Sequence, residues 1–200
     1  MYIVFEGGEC CGKTTILAML KEKYPDFVYI REPGTTPLAM EMRKNIFAME
    51  RDAVTDAYLF AVARSDLHEQ ITIPKMKAGE TIISDRSFIT SMVYQGYAND
   101  DAIGMEKVYE INKCALKGCI PDKCIVFTLP YEESQRRANA RRDDAGEITY
   151  FDERGRAFYD AVQDGYKKVA EHLPEVEFVY INANQSIEAV FADVEQAINK

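Results

Sequence analysis

A glycine-rich segment near the start of the chain combines the residue types that bind phosphate. It reads Gly7-Gly8-Glu9-Cys10-Cys11-Gly12-Lys13-Thr14 and fits the pattern G-x-x-x-x-G-K-[ST]. Glycines let the backbone bend so that successive N–H groups point at phosphate oxygens, and a helix N-terminus adds partial positive charge. Lys13 supplies a point charge for the β- and γ-phosphates, and the Thr14 hydroxyl is a candidate Mg²⁺ ligand. A chance match is the alternative, but an apolar run precedes the segment and a helical pattern containing Thr15 follows it, which favours an ATP-binding loop.

A second candidate magnesium ligand, Asp85, ends the apolar run of residues 81–85. In parallel sheets the ligands bind at the carboxyl ends of the strands, where this carboxylate would lie. The alternative is a turn or helix-capping aspartate, but Arg86 follows directly and favours a functional role. A regulatory GTPase would also need an N-K-x-D element. The nearest match, at residues 112–115, lacks the aspartate, so the sequence disfavours a guanine-specific switch.

Short apolar runs alternate with longer helical patterns along the chain. The pattern predicts strands at residues 2–6, 27–31, 81–85, 123–129 and 176–181. It predicts helices at residues 14–23, 37–49, 55–70, 103–117, 131–140 and 152–172. A final helix is predicted with Ser186 as N-cap and Ile187, Val190, Phe191, Val194 and Ile198 on one face. This alternation predicts an α/β fold, a doubly wound parallel sheet with helices on both faces, forming one domain over residues 1–200.

The composition excludes several classes of protein. Of the 200 residues, 24 are Lys or Arg and 33 are Asp or Glu, giving a net charge of −9, and 47% are hydrophobic. The acidic balance disfavours nucleic-acid partners and polybasic membrane binding, and no segment is apolar enough to predict a membrane helix. The five cysteines and the absence of a leader predict reduced thiols and a cytoplasmic location. The spacing of Cys114, Cys119 and Cys124 is not that of a zinc site, so no structural metal is expected.

Further motifs resemble the thymidylate (dTMP) kinase family over nearly the whole chain. These are Phe5-Glu6-Gly7 before the loop, Arg31-Glu32-Pro33-Gly34-Thr35, Leu59-Phe60-Ala61 with Arg64, Asp85-Arg86, and Tyr94-Gln95-Gly96. The resemblance implies a P-loop NTPase fold with a five-stranded sheet and a mobile lid at about residues 137–154. It also implies transfer of the γ-phosphoryl group of Mg·ATP to dTMP, and a homodimer. The acceptor is an anionic phosphate oxygen, so no general base is required.

The resemblance also assigns roles to individual residues. Phe60 would stack on thymine, and Arg64, four residues later on the same helix face, would reach a thymine carbonyl. The alternative readings are a core aromatic and a solvated charge. The remaining acceptor-side roles fall to Ser91 and Gln95 at the base edge, Tyr94 under the sugar, Arg43 and Arg86 at the monophosphate, and Glu9 near the sugar 3′-hydroxyl.

Arginines cluster between positions 136 and 156, where the resemblance places the lid. The cluster comprises Arg136, Arg137, Arg141, Arg142, Arg154 and Arg156. The loop at residues 7–14 has no arginine, so the lid should supply the cation that stabilises the transferring phosphoryl group, with Arg141 or Arg142 favoured, then Arg137. Arg136 is interpreted as part of a solvated face, and Asn182 as part of the adenine-contacting loop. The cluster is expected to converge with Lys13, Arg43, Arg64 and Arg86 on one cleft.

Some positions depart from the family pattern. Cys10 stands where glycine is common, and Lys13 and a helix N-terminus nearby predict an oxidation-sensitive loop. Ser87 replaces a common aromatic, residues 99–101 lack a usual arginine, and residues 148–152 alter the lid pattern. Residues 97–104 and 141–150 have compositions typical of mobile, lid-like loops.

Two other functions remain open from the sequence. A deoxynucleoside kinase would need a general base for a neutral 5′-hydroxyl, and Glu32 is the candidate. A non-catalytic nucleotide-binding regulator is suggested by the altered lid.

Overall fold

The central sheet has five parallel strands in the order β2-β3-β1-β4-β5. The computed structural model describes residues 1–143 and 154–199, with the side chains of residues 141–143 excepted. The strands are β1 (Tyr2–Gly7), β2 (Val28–Arg31), β3 (Ile82–Asp85), β4 (Lys123–Thr128) and β5 (Glu177–Asn182). Each differs from its predicted bounds by only one residue at either end, and the predicted doubly wound α/β architecture is confirmed.

Helices cover both faces of this sheet. They are α1 (Lys13–Lys23), α2 (Pro37–Ala48), α3 (Ala53–Leu67), α4 (Ile73–Lys77), α5 (Phe88–Val93), α6 (Met105–Leu116), α7 (Tyr131–Asp143), α8 (Arg156–His172) and α9 (Ile187–Ile198). Side-chain caps define several starts, because Thr36, Asp52 and Ser186 each accept a hydrogen bond from the backbone N–H three residues later. The Ser186 cap is a confirmed prediction.

Alternation along β1 divides the core into two layers. Tyr2 and Val4 face a cluster built with α3, α5, α6 and α8, whereas Ile3 and Phe5 face a cluster built with α1 and α9. All four side chains are at most 1% exposed. A strand covered on both faces favours apolar residues on both of them, which explains the continuous apolar run from Tyr2 to Phe5.

The register brings the carboxyl ends of three strands together. Phe5 of β1 pairs with Asp85 of β3, and Arg31 of β2 pairs with the same residue from the other side. The glycine-rich loop leaves β1 at this edge, between β3 and β4, where the order of the strands reverses. Such a switch point opens a crevice for ligands.

The predicted helix 55–70 is wrong only in its last three residues. After α3 ends at Leu67, a π-helical turn covers His68–Thr72 and leads into α4. Pro74 in the first turn of α4 has no N–H to donate to the carbonyl four residues before it, so regular α-helical bonding is interrupted there.

Two further differences concern α8 and the segment after β3. Helix α8 begins at Arg156 rather than at residue 152, because residues 154 and 155 are not helical and Gly155 is its N-cap. The sequence prediction contained no helix at α5, which continues into a π-helical turn at Tyr94–Ala98. Ser87 caps α5 by accepting a hydrogen bond from the Ile89 N–H at 3.1 Å.

The predicted stripe on α9 needs one correction. Val190, Val194 and Ile198 are buried, but Ile187 is 51% exposed. Ile187 lies in the first turn, where the chain has just left the sheet edge, and it borders the cavity described below. In the described part of the chain, no helix is both long and apolar enough to cross a membrane.

Candidate active site

A cavity of about 810 Å³ opens at the carboxyl edge of the sheet, beside the glycine-rich loop. Most of the predicted site residues line it. They are Glu9, Cys10, Cys11, Gly12, Lys13, Thr14, Thr15, Arg43, Phe60, Arg64, Asp85, Arg86, Ser91, Tyr94 and Gln95. The cavity therefore joins the predicted donor and acceptor sites into one volume.

The loop after β1 has the backbone that a phosphate cradle requires. Gly12 has φ 90° and Cys10 has φ 57°, both in the left-handed region that favours glycine. This conformation explains why glycine suits position 10. The buried Cys11 thiol donates to the Gly8 carbonyl at 3.1 Å, and the Lys13 ammonium donates to the carbonyls of Gly7 and Gly8 at 3.1 and 3.3 Å.

Arg86 connects this loop to the acceptor side of the cavity. Its Nη2 donates to the Glu9 carboxylate at 2.7 Å, and its Nη1 donates to the Gly7 carbonyl at 3.4 Å. The guanidinium carbon lies 5.4 Å from the centre of the Tyr94 ring, whose hydroxyl donates to the same Glu9 oxygen at 3.1 Å. Burial opposes the charge of Arg86, but Glu9, Tyr94, Tyr166 and Glu6 together hold its pKa above the ordinary value. Arg86 is thus a fixed cation.

The fully buried Glu6 supports this arrangement from below, and sequence reasoning gave it no role. Its carboxylate accepts hydrogen bonds from the hydroxyls of Ser87 at 2.7 Å, Thr90 at 2.5 Å and Tyr166 at 2.9 Å. Burial raises the pKa of Glu6, although Arg86 and the three hydroxyls oppose that rise. Glu6 therefore ties the end of β1 to the residues that follow Asp85-Arg86 and to α8. The Ser87 hydroxyl takes part here, where the family often has an aromatic.

The predicted base pocket contains a buried ion pair. Arg64 is 2% exposed and donates from Nε to the Glu32 carboxylate at 2.6 Å. Nη1 donates to the Asn112 side-chain oxygen, and Nη2 lies 3.5 Å from the Ser91 hydroxyl. Burial raises the pKa of Glu32 and Arg64 lowers it, with a net rise. Phe60, one turn before Arg64 on α3, is 8% exposed and borders the cavity, so it is a wall residue as well as part of the core.

Arg43 enters the cavity from α2. Its Nη1 lies 3.5 Å from the Pro33 carbonyl, and its guanidinium carbon lies 4.7 Å from the centre of the Phe47 ring. Gly34 has φ 127°, and a Cβ at that position would lie 3.2 Å from the Arg43 Cδ. The absence of a side chain at Gly34 therefore allows Arg43 to pack closely against the backbone of the Arg-Glu-Pro-Gly segment.

Two oxygen donors suit a magnesium ion at the loop. Thr14 and Asp85 line the same cavity. Asp85 Oδ1 is buried and has no hydrogen-bond partner among the described residues, while Oδ2 lies 3.6 Å from Arg31 Nε. A carboxylate oxygen and a hydroxyl are ligands that Mg²⁺ accepts. These residues fit the ion that the family resemblance implies.

The far end of the cavity is bordered by the loop after β5, but Asn182 itself does not line it. The Asn182 side chain instead accepts a hydrogen bond from the Asn184 N–H at 2.9 Å, and this bond stabilises the turn after β5. Ala183, Gln185 and Ile187 border the cavity in its place. Gly7 and Gly8 also lie outside the lining and contribute through the carbonyls that Lys13 contacts.

The arginine cluster does not converge on the cavity as a whole. Arg136 and Arg137 line it, and Arg137 donates to Glu133 at 2.7 Å and to the Ala183 carbonyl at 3.0 Å. Arg136 is 70% exposed, as expected of a solvated face. Arg154 instead donates to Asn99 at 2.9 Å, and Arg156 pairs with Glu132 at 2.7 Å. The predicted convergence is wrong for these two residues. Helix α8 begins four residues later than predicted, so Arg154 precedes it and Arg156 is its first residue.

Part of the lid prediction falls outside the described structure. The side chains of Arg141 and Arg142 are not described, and neither are residues 144–153, which include most of the predicted lid at 137–154. The other predicted lid-like segment, residues 97–104, lies away from the cavity lining among the described residues. It is attached to the body, because Asp101 accepts from the Ala53 N–H at 2.7 Å and Asn99 is only 6% exposed.

Comparisons with known proteins agree with this geometry. A family model described as thymidylate kinase matches residues 5–194. Thymidylate kinases from Halalkalibacterium halodurans and Bacillus velezensis are each 34% identical; the alignments cover the whole chain and 96% and 95% of these relatives. The crystal structure of thymidylate kinase from Ehrlichia chaffeensis matches with a TM-score of 0.76 at 24% identity, covering 100% of this chain and 98% of that one, which supports the fold. The chain belongs to the thymidylate kinase family.

Proposed function

We propose that this protein transfers the γ-phosphoryl group of ATP to the 5′-monophosphate of thymidine, giving dTDP and ADP. The observation that carries this proposal is the single cavity lined at once by Lys13, Arg86, Phe60 and Arg64. A phosphate cradle, a fixed arginine and a base pocket in one volume are what a kinase acting on a nucleoside monophosphate requires. The names of the relatives agree with it.

The acceptor nucleotide would lie with its base against Phe60 and its phosphate near Arg86 and Arg43. Arg64, Ser91 and Gln95 offer polar groups for the base edge, and the Oε1 atom of Gln95 has no hydrogen-bond partner among the described residues. Tyr94 and Glu9 are bonded to one another and would pack beside the sugar.

The reaction needs positioning and charge stabilisation more than proton transfer. The attacking group is an ionised phosphate oxygen, so the chain needs no general base. Arg86 would hold this phosphate in line, while Lys13 exchanges its two carbonyl contacts for phosphate oxygens of ATP. A lid arginine, Arg141 or Arg142, with Arg137 as the described alternative, would stabilise the charge on the transferring group. The lid at residues 137–154 would close over it as part of a single kinase domain.

Thr14 and Asp85 would hold Mg²⁺ beside the donor phosphates. The ion supplies charge neutralisation at those oxygens. The chain itself orients the two ligands, because Asp85 ends β3 and Thr14 lies in the first turn of α1.

Glu32 argues against a deoxynucleoside kinase. A general base must reach the 5′-hydroxyl with an available carboxylate, but Glu32 is 4% exposed and its Oε2 is bonded to Arg64 at 2.6 Å. Its other oxygen, Oε1, faces His68 at 4.0 Å. The carboxylate therefore orients Arg64. A non-catalytic role is not favoured either, because residues proposed to bind ATP and residues proposed to bind dTMP line the same cavity.

A homodimer through α3 completes the proposal, with the chain in the cytoplasm. Val54, Tyr58 and Val62 follow one another at intervals of four residues and are 42%, 57% and 48% exposed. An apolar stripe on one face of a helix is typical of a helix-to-helix interface. Light scattering should give twice the chain mass for the wild type and a monomer for Tyr58→Glu; a wild-type monomer at micromolar concentration would contradict this.

The experiment that tests the function is an acceptor panel. Each of dTMP, dUMP, dCMP, dGMP and thymidine is incubated with ATP and Mg²⁺, and kcat/KM is obtained from ADP release. We expect the highest value for dTMP and no turnover of thymidine. Turnover of thymidine alone would show a nucleoside kinase instead.

A further inference from the structure

The guanidinium of Arg64 is held by protein groups on three sides before any ligand arrives. Nε donates to Glu32 at 2.6 Å, Nη2 lies 3.5 Å from the Ser91 hydroxyl, and Nη1 donates to the side-chain oxygen of Asn112. Glu32 follows β2 and Ser91 lies on α5, whereas Asn112 lies on α6, the helix behind α3. The three acceptors therefore come from three separate elements, and together they fix the plane of the guanidinium.

Asn112 differs from the other two because it does not border the cavity. Glu32, Arg64 and Ser91 are among the lining residues, and Asn112 is not. Its side chain is 0% exposed. It therefore cannot touch a nucleotide in the cavity, and any effect on binding passes through Arg64.

The orientation of the Asn112 amide is determined by its own helix. Its Nδ2 donates to the Val108 carbonyl at 2.8 Å, one turn earlier on α6. A flipped amide would put its oxygen against the Val108 carbonyl, which also only accepts, and its N–H group against the guanidinium, which only donates. The oxygen must therefore face Arg64, and α6 presents a fixed acceptor to Nη1.

This arrangement leaves a defined pair of donors for the cavity. A guanidinium carries five N–H groups, and the three contacts engage one on each nitrogen. Among the described residues this leaves one N–H on Nη1 and one on Nη2. The 4-carbonyl of thymine accepts from such donors, whereas the 4-amino group that cytosine carries at the same position does not.

We propose that Asn112 is a positioning residue that determines base selectivity by holding Arg64 with these two N–H groups directed at the 4-carbonyl of thymine. The inference rests on the proposed function and assigns a role to a residue that never contacts the nucleotide. A neutral amide is suited to the position, because Glu32 already balances the charge of Arg64 and a second buried carboxylate would be left without a cation.

The test measures steady-state kinetics of Asn112→Ala with dTMP, dCMP and ATP. The KM for dTMP should rise about tenfold, because one of the contacts fixing Arg64 is lost, while kcat and the KM for ATP stay within about twofold. The ratio of kcat/KM for dTMP over dCMP should fall by about the same factor. A simple loss of fold would lower the amount of active enzyme and the apparent kcat. It would leave the KM for dTMP and the ratio of kcat/KM for dTMP over dCMP as they are in the wild type.

Asn45→Ala is the matched control. Asn45 makes the same bond to its own helix, from Nδ2 to the Glu41 carbonyl at 2.9 Å, but it lies on α2 and has no contact with Arg64. Its KM values should equal those of the wild type. Asn112→Asp loses the bond from Nδ2 to the Val108 carbonyl, so its melting temperature should fall, but it keeps an acceptor oxygen for Nη1 of Arg64. Its KM for dTMP should therefore lie within about threefold of wild type.

A double-mutant cycle isolates the path through Arg64. In an Arg64→Lys background, which keeps the charge for Glu32 but lacks the planar fork, Asn112→Ala should change the KM for dTMP by less than about twofold. An unchanged KM in Asn112→Ala, a KM in Asn112→Asp as high as in the alanine variant, or full additivity in the cycle would each overturn the inference. Wild-type enzyme that fails to phosphorylate dTMP would overturn the proposed function first, and this inference with it.

Discussion

The stability of the protein should fall as the pH is lowered from 8 to 5, and His68 should account for much of that fall. His68 lies in the π-helical turn after α3 and is 1% exposed. Neither ring nitrogen has a hydrogen-bond partner among the described residues, and the nearest carboxylate oxygen, Glu32 Oε1, lies 4.0 Å away. Burial, together with the charges of Arg64 and Lys117, lowers the pKa of His68 to about 3. The native protein therefore keeps this ring neutral.

The magnitude follows from the difference between the folded and unfolded chains. In the unfolded chain His68 has a pKa of about 6.5, so it binds a proton below that pH, while the folded protein binds it only near pH 3. A group whose pKa is lowered by folding in this way destabilises the fold as the pH falls through the unfolded value. Between pH 8 and pH 5 the linkage amounts to about 2 kcal/mol of unfolding free energy. The figure barely changes if the folded pKa is 4, because both values lie below pH 5.

The assay is urea unfolding of wild type and His68→Leu at pH 8 and pH 5. Leucine fills a similar volume and deprives no described group of a partner, so the variant should be close to wild type at pH 8 and about 2 kcal/mol less sensitive to pH. His172→Leu is the control, since this histidine is exposed at the end of α8 and solvent reaches it in both states. Glu6 and Glu32, whose pKa values burial raises, act in the opposite direction and are common to all three proteins. The same pH dependence in His68→Leu as in wild type would refute the reasoning.

Three other substitutions test separate parts of the account. Lys13→Met should lower kcat by about 10²- to 10³-fold, because the phosphate charge loses its fixed cation; rates within tenfold of wild type would argue against that role. Phe60→Ala should raise the KM for dTMP by about thirtyfold, equivalent to about 2 kcal/mol of base stacking, with the KM for ATP unchanged; equal rises in both would indicate general damage to α3. Ser186→Ala should cost about 1 kcal/mol in urea unfolding, since α9 loses the cap bond from the Ala189 N–H to the Ser186 hydroxyl oxygen, 3.3 Å away. No loss would mean that solvent replaces the cap.

The parts of the structure that sequence reasoning predicted well are local. The five strands are four to six residues long and largely apolar, and their bounds were predicted to within one residue from where each apolar run stops. The loop before α1 is a contiguous motif whose backbone requirement is visible in its glycines. Phe60 and Arg64 needed only the helical period to be placed on one face.

The residues that were missed depend on contacts distant in sequence. Asn112 meets Arg64 across 48 residues, and Glu6 meets Tyr166 across 160. The sequence around Asn112 gives no signal of its contact. Glu6 does give one, because it is a charged residue in an otherwise apolar strand. A carboxylate at such a place implies buried donors, which is the signal that could have found it.

The errors in the arginine cluster have a related cause. Six arginines within 21 positions suggested one patch, but the helix that carries Arg156 begins four residues later than predicted. Arg154 consequently points to Asn99 and Glu50, and Arg156 to Glu132 and Asp160. Proximity in sequence does not decide which carboxylate an exposed arginine meets. The side chains of Arg141 and Arg142 lie outside the described residues, and their role stays a prediction.

The most direct test of the central claim is product analysis by ³¹P NMR with ATP, Mg²⁺ and either dTMP or thymidine. With dTMP, the γ-phosphate signal of ATP should be lost as equal amounts of ADP and dTDP appear. With thymidine, the spectrum should not change. Formation of dTMP from thymidine, or release of inorganic phosphate in place of dTDP, would contradict the account.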